Sequence, residues 1–139
     1  MGYLKRAYDD GWAGRAVTTH GGRRVPVGRL PPRLDDAAER AARARRGRFA
    51  RNAVVQGAAA ELFKAWAVTV RTQARPLDAE VVLCLHDELL VDAPAESADA
   101  VAELLHSALD GVGRAWSGRA AVRFVADVRV VRRWSDAKD

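Results

Sequence analysis

Residues 80–94 read EVVLCLHDELLVDAP, and the fold turns on how this stretch is taken. Two apolar runs, VVLCL and LLV, flank the three polar residues His86, Asp87 and Glu88. Each run is too short for a helix, and its Val and Leu content suits a buried strand. The reading is therefore two strands with a polar turn between them. Pro94 suits the first position of a following helix, where its missing N–H costs nothing. Val101, Leu104, Leu105, Ala108 and Val112 give that helix an apolar face.

Upstream, RFARNAVVQGAAAELFKAWAVTVRTQ (48–73) is the longest periodic stretch. Val55, Ala59, Leu62, Phe63, Trp66 and Val70 follow helical spacing and predict one buried stripe, closed by Pro76. Asp35 or Asp36 is placed to cap a preceding helix through about Arg46, with Gly47 a weak point after it. Pro26, Pro31 and Pro32 break the chain before it. AVTTHGGRRVPVG (16–28) reads as a hairpin about Gly21-Gly22. MGYLKRAYDDGW (1–12) predicts a short helix with Tyr3, Leu4, Ala7 and Tyr8 on one side. At the other end, AVRFVADVRVV (121–131) alternates apolar and polar residues like a half-exposed strand. Helix, hairpin, two helices, two strands, helix and strand imply an α+β fold, a small antiparallel sheet packed by helices.

Composition narrows the function classes. No apolar run approaches the roughly 18 residues a membrane span needs, and the start of the chain lacks a signal-peptide pattern. The expectation is a cytoplasmic protein. The single cysteine, Cys84, leaves no internal disulfide and is expected in the core of its strand. Trp66 is expected in the core, and His20 and His106 at the surface. Residues 1–56 carry 13 Lys+Arg against 5 Asp+Glu, whereas residues 57–139 carry 10 against 13. A basic half beside an acidic half suits a protein that grips phosphates with one part. Only three of the 23 basic residues are lysines, so a compositional preference for arginine accounts for part of that excess.

Two polar sets carry possible chemistry. At the strand turn, a carboxylate held on a tight bend is a suitable Mg²⁺ ligand, since that ion prefers oxygen and takes one or two protein carboxylates plus substrate phosphates. Asp87 and Glu88 are adjacent, so on extended backbone their side chains diverge unless a bulge intervenes. One would bind an ion while the other sits behind it or at a second ion, and at least one more carboxylate is required for a two-metal site. A solvated hairpin tip is the alternative. On the long helix, Arg48, Asn52 and Gln56 recur every four residues and drift about 40° per step. Amides and guanidinium of this kind bond to base edges and sugars in the minor groove. Gly57 and the alanines after it would admit a close approach by another backbone or a duplex. An ordinary solvated face is the alternative here.

Taken together, these segments resemble the family A DNA polymerases, the DNA polymerase I family. RNAVVQGAAAELFK (51–64) is similar to that family's helix R-N-x-P-x-Q-G-T-A-A-D with a lysine three residues on. LCLHDELLVDAP (83–94) is similar to its strand, V-H-D-E, strand and Pro-started helix. THGGRRVPV (19–27) resembles its G-R-R-x-x-P segment. The likeness runs from about Tyr3 to Trp134. It implies the end of the fingers subdomain in residues 1–38 and a C-terminal palm segment in residues 39–139. It implies DNA-directed DNA polymerase activity, with nucleotidyl transfer from dNTPs to a primer 3′-OH by a two-Mg²⁺ mechanism. Asp87 and Glu88 would be catalytic metal ligands. His86 would lie against the primer terminus, and Arg48, Asn52 and Gln56 would contact primer–template DNA on its minor-groove side. Such contacts test the shape of a base pair without reading sequence.

Val54, Ala58 and Glu61 depart from the pattern's proline, threonine and aspartate. Nothing matches the family's other aspartate motif, D-Y-S-x-I-E-L-R; Tyr8-Asp9-Asp10 is the nearest string. The nucleotide-binding fingers helix is also unmatched. The expectation is a C-terminal fragment, inactive alone, whose partner is the upstream polymerase half with thumb and fingers. Two other readings stand beside it: a non-catalytic module binding duplex DNA through its basic half, and a non-functional gene remnant begun at an internal Met.

Overall fold

The computed structural model describes residues 2–118, 120 and 122–138. The chain divides into two compact units, Met1–Glu61 and Leu62–Asp139.

In the first unit, α1 (Tyr3–Trp12) packs on the N-terminal part of α2 (Asp36–Gln73). Asp35 makes the cap: its side chain accepts the Ala38 N–H at 2.7 Å and its carbonyl accepts the Glu39 N–H at 2.8 Å. The expected break at Gly47 does not occur, and α2 runs through it. The Tyr8 ring lies where a side chain at Gly47 would point, its Cε2 only 2.7 Å from a Cβ built there. Gly47 is thus a packing glycine, and the contact offsets the roughly 1 kcal/mol that glycine costs a helix. Gly11 plays the same part on α1. A Cβ there would strike the Ala50 Cβ and lie 2.6 Å from the Arg46 carbonyl oxygen. Of the residues expected on one side of α1, Ala7 is buried, while Tyr3 and Leu4 stay largely exposed. Tyr3 uses its position to donate from Oη to the Thr18 carbonyl at 2.8 Å. The stretch 1–12 begins at Met1, which lies outside the described residues.

β1 (Val17–Thr18) and β2 (Arg24–Val25) form the expected hairpin, with Val17 opposite Val25 and Thr18 opposite Arg24. Its loop includes Gly22 at φ 89°, a left-handed conformation that favours glycine. Ala7, Val17, Ala50 and Val54 make the core of this unit, with Val25 and Val27 against it.

In the second unit, β3 (Glu80–Leu85) and β4 (Glu88–Asp92) pair antiparallel, with a register irregularity between Val81 and Leu83. α3 (Ala98–Ser117) and α2 from Leu62 onward supply the helical layer. Trp66, Val70, Ala74, Val101, Leu105 and Leu109 are the centre of the core. The Trp66 indole donates to the Leu105 carbonyl at 3.0 Å, and Phe63 meets its ring edge-on at 5.9 Å. A buried indole N–H is costly unless paired, so this bond fixes how the two helices meet.

Four expectations need correction here. Val55 is 48% exposed and Ala59 is exposed, whereas Val54 and Gly57 are buried. One stripe through all of 48–73 presumes one packing partner, but the two parts of α2 bury against different segments. Cys84 is exposed rather than in the core. Pro94 precedes a 3-10 turn, Ala95–Ser97, and does not open α3 itself. Residues 122–131 form no strand. The burial there does have period two, with Phe124, Ala126 and Val128 packed on the core and Val125, Asp127 and Arg129 outward. Alternation reports one buried face and says nothing about a hydrogen-bonded neighbour; Phe124 packs instead on bare Gly113. Ala121 lies outside the described residues. Trp66 is buried and His20 and His106 are exposed, as expected. No described helix is long and apolar enough to cross a membrane. The architecture is α+β, with the antiparallel strands in two small hairpins.

Candidate functional site

His86 and Asp87 form a two-residue turn, and Leu85 pairs with Glu88 immediately below it. His86 has φ 55°. A positive φ at the first loop position matches the twist of a tight hairpin, and histidine tolerates it better than most residues. All three residues are exposed. The ladder irregularity lies at Val81–Leu83, away from Asp87 and Glu88. The hairpin therefore brings an imidazole and two carboxylates to one tip. Among the described residues, no group of three or more His, Cys, Asp or Glu is gathered closely enough to hold a metal ion. The tip is half of a metal site at most: hard oxygen donors suited to Mg²⁺, needing oxygens from elsewhere.

Arg48, Asn52 and Gln56 belong to the other unit, and all three are exposed on successive turns of α2. The neighbouring Ala50, Val54 and Gly57 are buried and so fix which face turns outward. The close approach expected at Gly57 is made from within the chain rather than by a duplex. A Cβ there would strike the Thr19 Cγ2 and lie 3.2 Å from an Arg23 Nη, so the chain's own hairpin occupies the approach. Ala59 and Ala60 remain exposed.

The residue that reading by motif undervalued is Glu61. Its Oε1 accepts the Thr19 hydroxyl at 2.6 Å, its Oε2 accepts the Gly21 N–H at 3.0 Å, and Arg23 Nε stands 3.3 Å from Oε1. The Thr19 hydrogen bond is the main reason its carboxyl is held below the ordinary glutamate value; partial burial opposes this, and Gly21, Arg23 and His20 assist it. One signal was available in the sequence. Glu61 lies four residues after Gly57 and seven after Val54, on the face that packs inward.

Comparison with known proteins places this geometry in context. A family model described as DNA polymerase family A matches residues 2–136. The thermostable DNA polymerase I of Thermus aquaticus is 32% identical over 137 residues, covering 99% of this chain and 15% of that protein. DNA polymerase theta of Caenorhabditis elegans is 32% identical over 96 residues, 69% of this chain and 6% of that protein. DNA polymerase I of Deinococcus radiodurans is 34% identical over 110 residues, 79% and 11% of the two chains. Among solved structures, the polymerase domain of Pol1 from M. smegmatis, in complex with DNA primer-template and dNTP, superposes with a TM-score of 0.62. That match covers 79% of this chain and 19% of the other at 24% identity, a likeness of fold. The chain thus spans 15% or less of the length of these curated relatives.

Proposed function

This chain belongs to DNA polymerase family A, and from that premise we propose that it supplies one carboxylate motif and the minor-groove surface of a DNA-templated nucleotidyl transferase. The supporting observation is that both motif sets are exposed on regular elements: Asp87 and Glu88 at the β3–β4 tip, Arg48, Asn52 and Gln56 along α2. Residues 1–38 would correspond to the end of the fingers and residues 39–139 to the palm. Primer–template DNA and dNTPs are the partners, together with the rest of a polymerase active site. DNA replication and repair are the processes this activity serves.

Asp87 and Glu88 would hold Mg²⁺, with Asp87 as the direct ligand and Glu88 beside it. When bound, the metal stabilises the attacking and leaving oxygens of phosphoryl transfer. His86, at the same tip, would bear on the primer terminus. The α2 stripe would hold the terminal base pairs through acceptors common to every Watson–Crick pair.

Two divalent ions need more oxygens than this tip offers, so the chain unaided is expected to give no primer extension with Mg²⁺ and all four dNTPs. Extension that vanishes with Asp87→Asn would show that another carboxylate within these 139 residues completes the site. The basic first half favours a second reading, duplex binding without catalysis. That reading predicts salt-sensitive binding and no role for Asp87 in any assembled polymerase.

A further inference from the structure

The Glu61 cluster joins two of the segments that resemble the family pattern, THGGRRVPV and RNAVVQGAAAELFK, yet none of its residues has a role in the function proposed above. It is built around the loop between β1 and β2. Thr19 is buried, donates its hydroxyl to Glu61, and accepts the Arg23 N–H on the same oxygen at 3.0 Å. The Thr19 N–H in turn donates to the Arg23 carbonyl at 2.9 Å. Glu61 also takes the Gly21 N–H, so one carboxylate holds the base and the tip of the loop at once. Gly57 makes room for this. The Thr19 methyl sits where its Cβ would be, with the Arg23 guanidinium alongside. Gly57 directly follows Gln56, so Arg23 lies next to the end of the polar stripe. Its Nε faces Glu61, while the side chain as a whole remains 56% exposed.

Glu61 thus receives three contacts: the Thr19 hydroxyl and the Gly21 N–H, which hold the loop, and Arg23 Nε, which carries the opposite charge. The last of these restrains the direction of the arginine side chain, and the Thr19 hydroxyl holds its backbone N–H. We propose that Glu61 is a positioning residue that clamps the β1–β2 loop to α2 and aims Arg23 at a DNA phosphate beside the minor-groove stripe. Arg23 is the contacting group and Glu61 acts through it. The inference rests on the DNA-binding part of the function proposed above.

The test is binding of the full chain to a labelled blunt duplex, followed by fluorescence anisotropy across a salt series. Each neutralised phosphate contributes roughly one unit to the slope of log affinity against log salt. Arg23→Gln is expected to weaken binding severalfold and to reduce that slope by about one. Glu61→Gln is the discriminating variant. It makes the chain more positive, so simple charge attraction predicts tighter binding, whereas the clamp predicts the same severalfold loss as Arg23→Gln. The double variant should lose no more than either single one, because both remove one contact. Glu61→Asp keeps the charge and both acceptor oxygens and should retain most of the affinity. Tighter binding by Glu61→Gln, or an unchanged slope in Arg23→Gln, overturns the proposal while leaving duplex binding intact. Failure of the parent chain to bind duplex at low salt overturns both this proposal and the reading it rests on. If Glu61→Gln lowers the melting temperature enough to unfold the chain, an unchanged salt slope in Arg23→Gln still overturns the proposal.

Discussion

At the scale of single residues, the two motif sets and the clamp differ in how their chemistry is supported. His86 and Asp87 occupy a turn that the backbone itself makes tight, so their positions follow from the pairing of Leu85 with Glu88. Glu61 is held by side-chain and loop bonds, and its ionisation is therefore linked to folding. Its carboxyl is held below the ordinary value in the folded state, first by Thr19. Its stabilisation is then fully present above the unfolded-state carboxylate range and is lost as pH falls through the depressed folded value. Thermal melts between about pH 6 and pH 3 should show Glu61→Gln losing less stability on acidification than the parent, since it lacks this proton uptake. Equal acid sensitivity in the two proteins would contradict the linkage. The turn at His86-Asp87 and the outward face shared by Arg48, Asn52 and Gln56 were legible in the sequence from residue type and spacing. Glu61's partners were not, because Thr19 and Gly21 are remote in sequence and meet it only once the hairpin has folded onto α2.

At the scale of elements, glycine shows where local propensity misleads. Gly47 reads as a helix breaker and proves to be a seat for Tyr8. Gly11 admits α2 at a distance no side chain would allow. Gly111, in α3, has nothing within 4 Å of the position its Cβ would take. The same substitution should therefore have opposite signs. Gly111→Ala is expected to stabilise by about 0.5–1 kcal/mol through helix propensity. Gly11→Ala should destabilise by about 1–3 kcal/mol through overpacking against Ala50 and the Arg46 carbonyl. Chemical denaturation of both variants checks this, and a shared sign would contradict the packing described. The hairpins, the cap at Asp35 and α3 were legible because each rests on nearby residues. The buried stripe of α2 and the run 122–131 were not, because periodicity reports burial without naming the partner. Val55 and Ala59 fit one helical stripe on paper, yet Val54 and Gly57 are the residues that meet the hairpin and α1.

At the scale of the whole molecule, charge and family membership point the same way. The positive excess lies in residues 1–56, which include the α2 stripe and Arg23, and the acidic tip lies in the remainder. Under the roles proposed above, cationic groups would meet phosphates and carboxylates would hold metal, a pairing suited to phosphoryl transfer on DNA. Among the described residues no complete metal site is gathered, so under the proposed function these residues act as part of a complete polymerase. The direct measurement is primer extension by Thermus aquaticus DNA polymerase I carrying this chain in place of its matching segment, with and without Asp87→Asn. The graft is expected to show Mg²⁺-dependent extension that is lost in the Asp87→Asn version. A folded graft that binds primer–template but extends nothing, or an Asp87→Asn graft that extends as well as its parent, would contradict it.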